Sequence, residues 1–354
     1  MRIAQVSPLH ESVPPRGYGG TERVVAYLTD ELVRLGHDVT LFASGDSCTS
    51  ARLVPIVPRS LRTDPGSIDA LAHHFVMLEQ IWRAADSFDL VHYHIDYVHF
   101  GHSRRLGRPH VTTLHGRLDI PDLQPLYDEF QEMPVVSISD AQRAPLPQAN
   151  WQGTVLHGLP EDLFRFEAHP GDYLTFLGRI SPEKRADRAV EIARQVGWPL
   201  RAAAKVDAVD RAYFEREIQP LFEEPFVEFM GEVSGEAKGA LIGGARALLF
   251  PIDWQEPFGL VMIEAMACGT PVVAWRGGSV EEIITPGVSG FIVDSLDEAV
   301  DATRRAATLD RRRVRAEFDA RFTAPRMARD YLAIYEALIG APRRAAVRTV
   351  AMQR

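Results

Sequence analysis

"RIAQVSPLHESVPPRGYGGTERVVAYLTDELVRLGHDVTLFAS" fills residues 2–44, and its reading decides the fold. "RIAQVS" is a short apolar run suited to a buried strand. After a glycine-bearing loop, "TERVVAYLTDELVRLG" repeats Val24, Val25, Leu28, Leu32 and Leu35 at three- and four-residue steps, the spacing of one apolar helix face. Gly36 stops that helix, and "HDVTLFAS" is a second strand. Strand, helix and strand in this order build a parallel sheet covered by helices.

The rhythm continues through "DLVHYH", "PHVTTLH" and "PVVSIS". It restarts with "YLTFLGR", "RADRAVEIARQVG", "PLRAAAK", "PFVEFMG", "GEAKGALIGGA", "RALLFP" and "PVVAW". The expectation is an α/β chain of two Rossmann-like, doubly wound domains facing a central cleft. Residues 1–165 form the N-terminal domain. Residues 166–340 form the C-terminal domain, whose final helix has room to pack back on the first. Residues 341–354 read as a frayed tail. "LPEDLFRFEAHPGD" at 159–172, without clear periodicity, is the linker. Ligands of such sheets bind outside the carboxyl ends of the strands, so chemistry is sought in the loops that follow them.

Composition narrows the function. The chain has 354 residues, 46% hydrophobic and 25% charged, the mix of a globular protein with a full core. A net charge of -9, with no lysine in the first half, argues against nucleic acid as partner. No apolar run approaches the roughly 18 residues that cross a bilayer, and the N-terminus lacks the pattern of a signal peptide. With only Cys48 and Cys268, a reduced cytoplasmic setting fits best.

Three loops carry candidate chemistry. In "PPRGYGGTER" at 14–23, Gly19 and Gly20 let backbone approach a ligand closely, and Thr21 is the expected N-cap. The spacing is not G-x-G-x-x-G, and no acid ends the second strand, so a nicotinamide cofactor is not expected. In "LGRISPEKR" at 177–185, Arg179 and Lys184 are suited to hold a diphosphate, one as a fork and one as a mobile point charge. In "EPFGLVMIEAMACGTP" at 256–271, Pro257 suits the first turn of a helix. The amides of Phe258, Gly259 and Leu260 would then offer donors to a phosphate at the positive helix end. Glu256 just before that end and Glu264 two turns in are placed to accept hydrogen bonds from hydroxyls. A diphosphate flanked by two polyols, as in a nucleotide sugar, satisfies the whole set.

"EPFGLVMIEAMACGTPVVAWRGGSVEEII" resembles the E-x7-E signature region of the family 4 retaining glycosyltransferases with the GT-B fold. The resemblance extends to "GYGGTERVV", "TLHG", "VSISDAQR", "LGRISPEKR" and "VEFMGEVSGEAKGAL" and so spans nearly the whole chain. It implies that 1–165 is the acceptor-side domain and 166–340 the nucleotide-sugar-binding domain, that Glu256 contacts donor-sugar hydroxyls and that Glu264 contacts the ribose. Arg179 and Lys184 would stabilise charge developing on the diphosphate. His115 of "TLHG" would reach the transferred sugar, Gly19 and Gly20 would approach the phosphates or acceptor, and backbone near Val233 would hold the base. Two departures stand out: His157 occupies the position of an asparagine in many relatives, and Arg185 that of a glycine.

The stretch "VHYHIDYVHFGH" holds His92, His94, His99 and His102, with Asp96 close by. His92 and His94 share one strand face, a geometry open to a metal, but binding of an acceptor by His94 and Asp96 is the preferred reading and no metal is expected. The resemblance thus implies transfer of a hexose from a nucleoside-diphosphate sugar, UDP- or GDP-linked, to an acceptor hydroxyl, without a tightly bound cofactor. The alternatives are a sugar phosphorylase or nucleotide-sugar epimerase on the same fold, and a non-catalytic sugar-nucleotide binding protein. Some relatives dock on membranes through a basic helix. The matching stretch "SIDALAHHFVMLEQIWRAAD" at 67–86 carries Arg83 against Asp69, Glu79 and Asp86, and only "SRRLGR" at 103–108 is locally basic, so stable membrane docking is not expected.

Overall fold

A computed structural model describes residues 1–341; the tail expected at 341–354 lies, beyond Ala341, outside the described residues. The chain divides into two compact units. Among the described residues, unit 1 comprises 1–138, 143–156 and 325–341, and unit 2 comprises 139–142 and 157–324.

In unit 1, seven strands run parallel: β1 (Arg2–Val6), β2 (Asp38–Ser44), β3 (Arg52–Val57), β4 (Leu90–Tyr93), β5 (His110–Thr113), β6 (Pro134–Ser137) and β7 (Asn150–Thr154). Their order is β3-β2-β1-β4-β5-β6-β7. The order reverses beside β1, whose neighbours are β2 and β4. Central strands covered on both faces read as continuous apolar runs, and Ile3, Ala4 and Val6 of β1 are indeed fully buried. The helix Gly20–Arg34 covers one face through Val24, Val25, Leu28 and Leu32. Met77, Leu78 and Ile81 of the helix Ala70–Ala84 enter the cluster built on Val6, Phe42 and Val91. The helix Ala324–Gly340 sends Tyr331 and Tyr335 into the interior of this unit.

Unit 2 repeats the plan with β8 (Leu174–Arg179), β9 (Leu200–Lys205), β10 (Val227–Gly231), β11 (Leu248–Phe250), β12 (Val272–Trp275) and β13 (Gly290–Val293). The parallel order is β10-β9-β8-β11-β12-β13, reversing between β8 and β11. Segment 157–172 packs on this unit: Leu159 exchanges backbone hydrogen bonds with Phe322 and Ala324, and Glu167 N–H donates to Cys268 O. Arg311, 6% exposed, donates to the carbonyls of Glu167, Ala245 and Gly243 and to Thr270 Oγ1, so its charge is spread over four acceptors, three of them buried.

Candidate functional site

In unit 2 the loops leaving β8 and β11, at the reversal of strand order, meet. Asp253 N–H donates to Glu183 O, so the two loops are stitched by backbone, while Ile180 N–H donates to Lys205 O at the end of β9. Arg179 closes β8 in register with Lys205 of β9. Its guanidinium donates to Glu183 Oε1 at 2.7 Å and lies 4.0 Å from Asp207, which also pairs with Lys205 at 3.0 Å. Lys184 Nζ reaches Glu256 Oε2 at 2.5 Å. The same oxygen accepts from Trp254 Nε1 at 3.0 Å, and the Trp254 ring lies 4.7 Å under the ammonium.

The loop that carries Glu256 is shaped by a second turn. Gly278 has φ 58°, and a Cβ there would fall 2.1 Å from Glu256 O and 2.5 Å from Glu256 N. Only glycine permits that approach. Ser279 N–H donates to Glu256 O, and Ser279 Oγ donates to Phe258 O. Ser139 Oγ donates to Pro257 O. The helix begins at Leu260, with Gly259 as N-cap at φ 77° and no side chain capping it. Pro257 therefore stands outside the helix. Of the three amides expected at its start only that of Leu260 belongs to the first turn. Gly259 must be left-handed, and Phe258 is buried against His157 with ring centroids 4.6 Å apart. Glu264, 2% exposed, lies inside the helix Leu260–Cys268 and pairs with Lys238 of the helix Gly235–Gly243 at 2.6 Å. Val233, between β10 and that helix, packs against Tyr173, Ala203 and Leu241.

These contacts join each expected cation, and one unexpected one, Lys238, to an acid. Arg179 sits with Glu183, Lys184 with Glu256, and Lys238 with Glu264. Lys205, Asp207, Trp254, Lys238, Gly278 and Ser279 carry no signal of their own in a single sequence: Lys238, Gly278 and Ser279 act through partners distant along the chain, and the close pairs Lys205–Asp207 and Trp254–Glu256 fall in no motif. The left-handed Arg185 (φ 51°) had a signal: relatives place glycine there. Its guanidinium is spread over Asp187 and Asp253.

In unit 1, Gly19 is the N-cap of Gly20–Arg34 at φ 157°, and a Cβ there would lie 2.8 Å from Pro15 Cβ. Thr21 is thus inside the helix rather than its cap; the tight loop 15–19, not a side chain, ends it. Gly20 is exposed. His115, after β5, is partly exposed, and burial of its ring pushes its pKa down to about 3. Its Nε2 meets His94 Nδ1 at 2.9 Å, and His94 Nε2 meets Gln5 Oε1 at 2.9 Å. His94 is buried with both ring nitrogens engaged, so it supports His115 rather than offering a nitrogen to an acceptor. Asp96, left-handed at φ 48°, is exposed and accepts the His115 backbone N–H. Neighbouring protein raises its carboxyl to about 6, an effect that solvent tempers.

Of the other histidines of this stretch, His92 and His99 have polar partners in the core, whereas His102 is partly exposed beside the Phe75 ring. His92 bonds Tyr335 and Thr113, and His99 bonds Ser103 and Thr112 while stacking on Tyr93 at 3.7 Å. Among the described residues no three His, Cys, Asp or Glu side chains converge as a metal site. No described helix is long and apolar enough to cross a membrane. In the basic stretch, Arg104 pairs with Glu129 and Glu132, and Arg108 with Asp86.

Residues 18–149 match the family model described as Glycosyltransferase Family 4, and residues 162–321 that of Glycosyl transferases group 1. The D-inositol 3-phosphate glycosyltransferase of Mycolicibacterium smegmatis is 24% identical over 385 residues, covering 86% of this chain and 83% of the relative. The enzyme of the same name from Frankia alni is 34% identical over 158 residues, a match spanning 40% of this chain and 36% of the relative's length. Among solved structures, a glycosyltransferase involved in avilamycin A biosynthesis superposes with a TM-score of 0.72 at 29% identity, over 96% of this chain and 98% of that one.

Proposed function

Since the chain belongs to glycosyltransferase family 4 and has its GT-B architecture, we propose that it moves a hexose from a nucleoside-diphosphate sugar to an acceptor hydroxyl with retention of configuration. One observation carries the reading: Lys184 and Glu256, from loops 72 residues apart, pair beside the uncapped start of the helix Leu260–Cys268. A cation, an acid for hydroxyls and a positive helix end are the three groups a sugar diphosphate needs.

In this reading the diphosphate takes Lys184 over from Glu256, and the released carboxylate accepts hydrogen bonds from sugar hydroxyls. Arg179 adds a second positive group, and the Gly259 and Leu260 backbone faces the phosphates. Both cations act where negative charge grows as the glycosidic bond breaks, which favours the transition state over the bound donor. Glu264 exchanges Lys238 for ribose hydroxyls, and backbone near Val233 holds the base. On unit 1, His115 acts on the transferred sugar, Gly19 and Gly20 serve the phosphates or acceptor, and Asp96 serves the acceptor. For retention, the leaving phosphate takes the acceptor's proton on the face from which it departs.

UDP- and GDP-sugars are the proposed donors. The relatives' names, which mention D-inositol 3-phosphate, make a small phosphorylated polyol the first acceptor to try. A panel of UDP-, GDP- and ADP-sugars tests the reading by melting temperature and by release of nucleoside diphosphate. A ligand at a hundred times its Kd adds about 2.7 kcal/mol of stability. A donor that stabilises the protein and is consumed only with an acceptor supports transfer. Turnover without acceptor, or only with inorganic phosphate, points to the epimerase or phosphorylase.

A further inference from the structure

His115 is the outer end of a hydrogen-bond chain that runs through the core of unit 1. From His94 the chain passes to Gln5 Oε1; Gln5 Nε2 lies 3.2 Å from the Tyr335 hydroxyl. That hydroxyl lies 2.6 Å from His92 Nδ1, and His92 Nε2 lies 2.7 Å from Thr113 Oγ1, which lies 2.8 Å from the Tyr331 hydroxyl. Gln5 of β1 and His92 of β4 are register partners, and Gln5, His92, Thr113, Tyr331 and Tyr335 are all fully buried.

Proton counting from the Gln5 amide fixes the direction of the links to His94 and His115. The Gln5 amide turns its oxygen to His94 and its NH2 to Tyr335. An amide oxygen only accepts, so His94 carries its hydrogen on Nε2. A neutral imidazole has one N–H, so His94 Nδ1 accepts, and His115 must donate from Nε2. Inward, the Gln5 amide donates to the Tyr335 oxygen, and the links from Tyr335 through His92 and Thr113 to Tyr331 can run in either sense, with His92 carrying its hydrogen on Nε2 or on Nδ1. Each contact then has one donor and one acceptor. Burial holds His92 well below its ordinary pKa, in keeping with a neutral chain.

We propose that His94, oriented by Gln5 and through it by Tyr335 of the helix Ala324–Gly340, is a positioning residue that fixes His115 as the Nε2–H tautomer, with Nδ1 as its acceptor nitrogen. Its functional meaning rests on the assignment of His115 to the transferred sugar; the tautomer itself does not. An unprotonated Nδ1 accepts a hydrogen bond from a sugar hydroxyl and has no hydrogen to give a phosphate oxygen. The ring therefore discriminates for a hydroxyl at that point of the sugar.

The test is nitrogen NMR of the full chain labelled in histidine, with the His115 signals assigned by their loss in His115→Gln. Expected for the unsubstituted protein near neutral pH is a single Nε2–H tautomer. In His94→Phe the two tautomers should average, and kcat should fall by about tenfold or more with donor KM nearly unchanged. His94→Gln, whose amide can accept from His115 and donate to Gln5, should restore the single tautomer and much of kcat. Tyr335→Phe should loosen the Gln5 amide and bring back averaging. An Nδ1–H tautomer in the unsubstituted protein, or the same averaged signals there as in His94→Phe, overturns the proposal. So does a pure Nε2–H tautomer with unchanged kcat in His94→Phe. If the tautomer is as proposed but His115→Gln turns over normally, the positioning stands and the sugar assignment of His115 falls.

Discussion

Lys184 Nζ stands 2.5 Å from Glu256 Oε2, with the two side chains only 18% and 10% exposed. Two opposite charges so placed hold each other, and any anionic ligand of Lys184 competes with Glu256. Glu256→Gln removes the competitor but also the acceptor for sugar hydroxyls. Diphosphate affinity should be unchanged or a few-fold tighter, while kcat falls by about a hundredfold or more. Titration calorimetry with the nucleoside diphosphate and initial rates measure the two effects; turnover within a few-fold of the parent would sink the role of Glu256.

Replacing Arg179 or Lys184 with Ala removes a charge-assisted contact, worth about 1.5–3 kcal/mol. Affinity for the nucleoside diphosphate should fall by about tenfold or more, whereas affinity for the free nucleoside should stay level. An equal loss for both ligands would assign the two cations to folding instead.

Gly278→Ala should be far more damaging than Gly287→Ala. Both positions are left-handed, at φ 58° and 76°, but only at Gly278 would the new Cβ strike backbone, 2.1 Å from Glu256 O. Urea unfolding should show a loss of about 1–2 kcal/mol at Gly287 and at least about 3 kcal/mol at Gly278. Similar losses at both sites would mean that the turn does not shape the Glu256 loop.

Acid should weaken the fold ahead of the carboxylate range. Burial lowers His92 and His99 well below their ordinary value of 6.5, lowers His110, and takes His115 to about 3. Below pH 6.5 the unfolded chain binds protons at these rings that the folded chain refuses, so stability falls as pH falls. Each ring adds a slope of up to about 1.4 kcal/mol per pH unit. Urea midpoints should drop steadily from pH 6.5 to 4.5; a flat profile there would mean that the rings are charged in the fold.

Vesicle sedimentation should show no preference for anionic over neutral lipid at physiological salt. The arginines of 103–108 are engaged with acids or backbone, and Arg83 pairs with Glu79. Capture by anionic vesicles that is lost on replacing Arg104, Arg105 and Arg108 would show that charge recruits the protein after all. Capture by both lipids would instead implicate the outer face of the helix Ala70–Ala84, where Leu71, Phe75 and Trp82 are about half exposed.

The alternation of strands and helices was legible because interior strands such as β11 and β12 are apolar without interruption. The three strands that escaped, β3, β7 and β13, are all edges of their sheets. An edge strand needs less apolar surface and tolerates the Pro55 of β3 or the polar "NWQGT" of β7. In the candidate site, loop position and residue type pointed to Arg179, Lys184 and the two glutamates. Periodicity said nothing about which acid each cation would meet, since Lys238 and Glu264, or Lys184 and Glu256, are joined only by the crossing of strands. Pro257 and Thr21 misled for one reason: helix starts are set here by left-handed or tightly packed glycines, Gly259 and Gly19, and not by the residue types that favour those positions.

The helix Ala324–Gly340 gives synthesis a direction. On the ribosome β1 to β7 emerge first, yet Gln5, His92 and Thr113 meet Tyr331 and Tyr335 only after roughly 180 more residues have been made. At about 5–20 residues per second that interval is roughly ten to forty seconds. Through it the first half of the chain holds buried polar groups without their final partners, while all of unit 2 is made and can fold. This helix, made after all of unit 2, therefore completes the earlier domain, and a chain stopped just short of it is left with that domain, not the later one, unfinished.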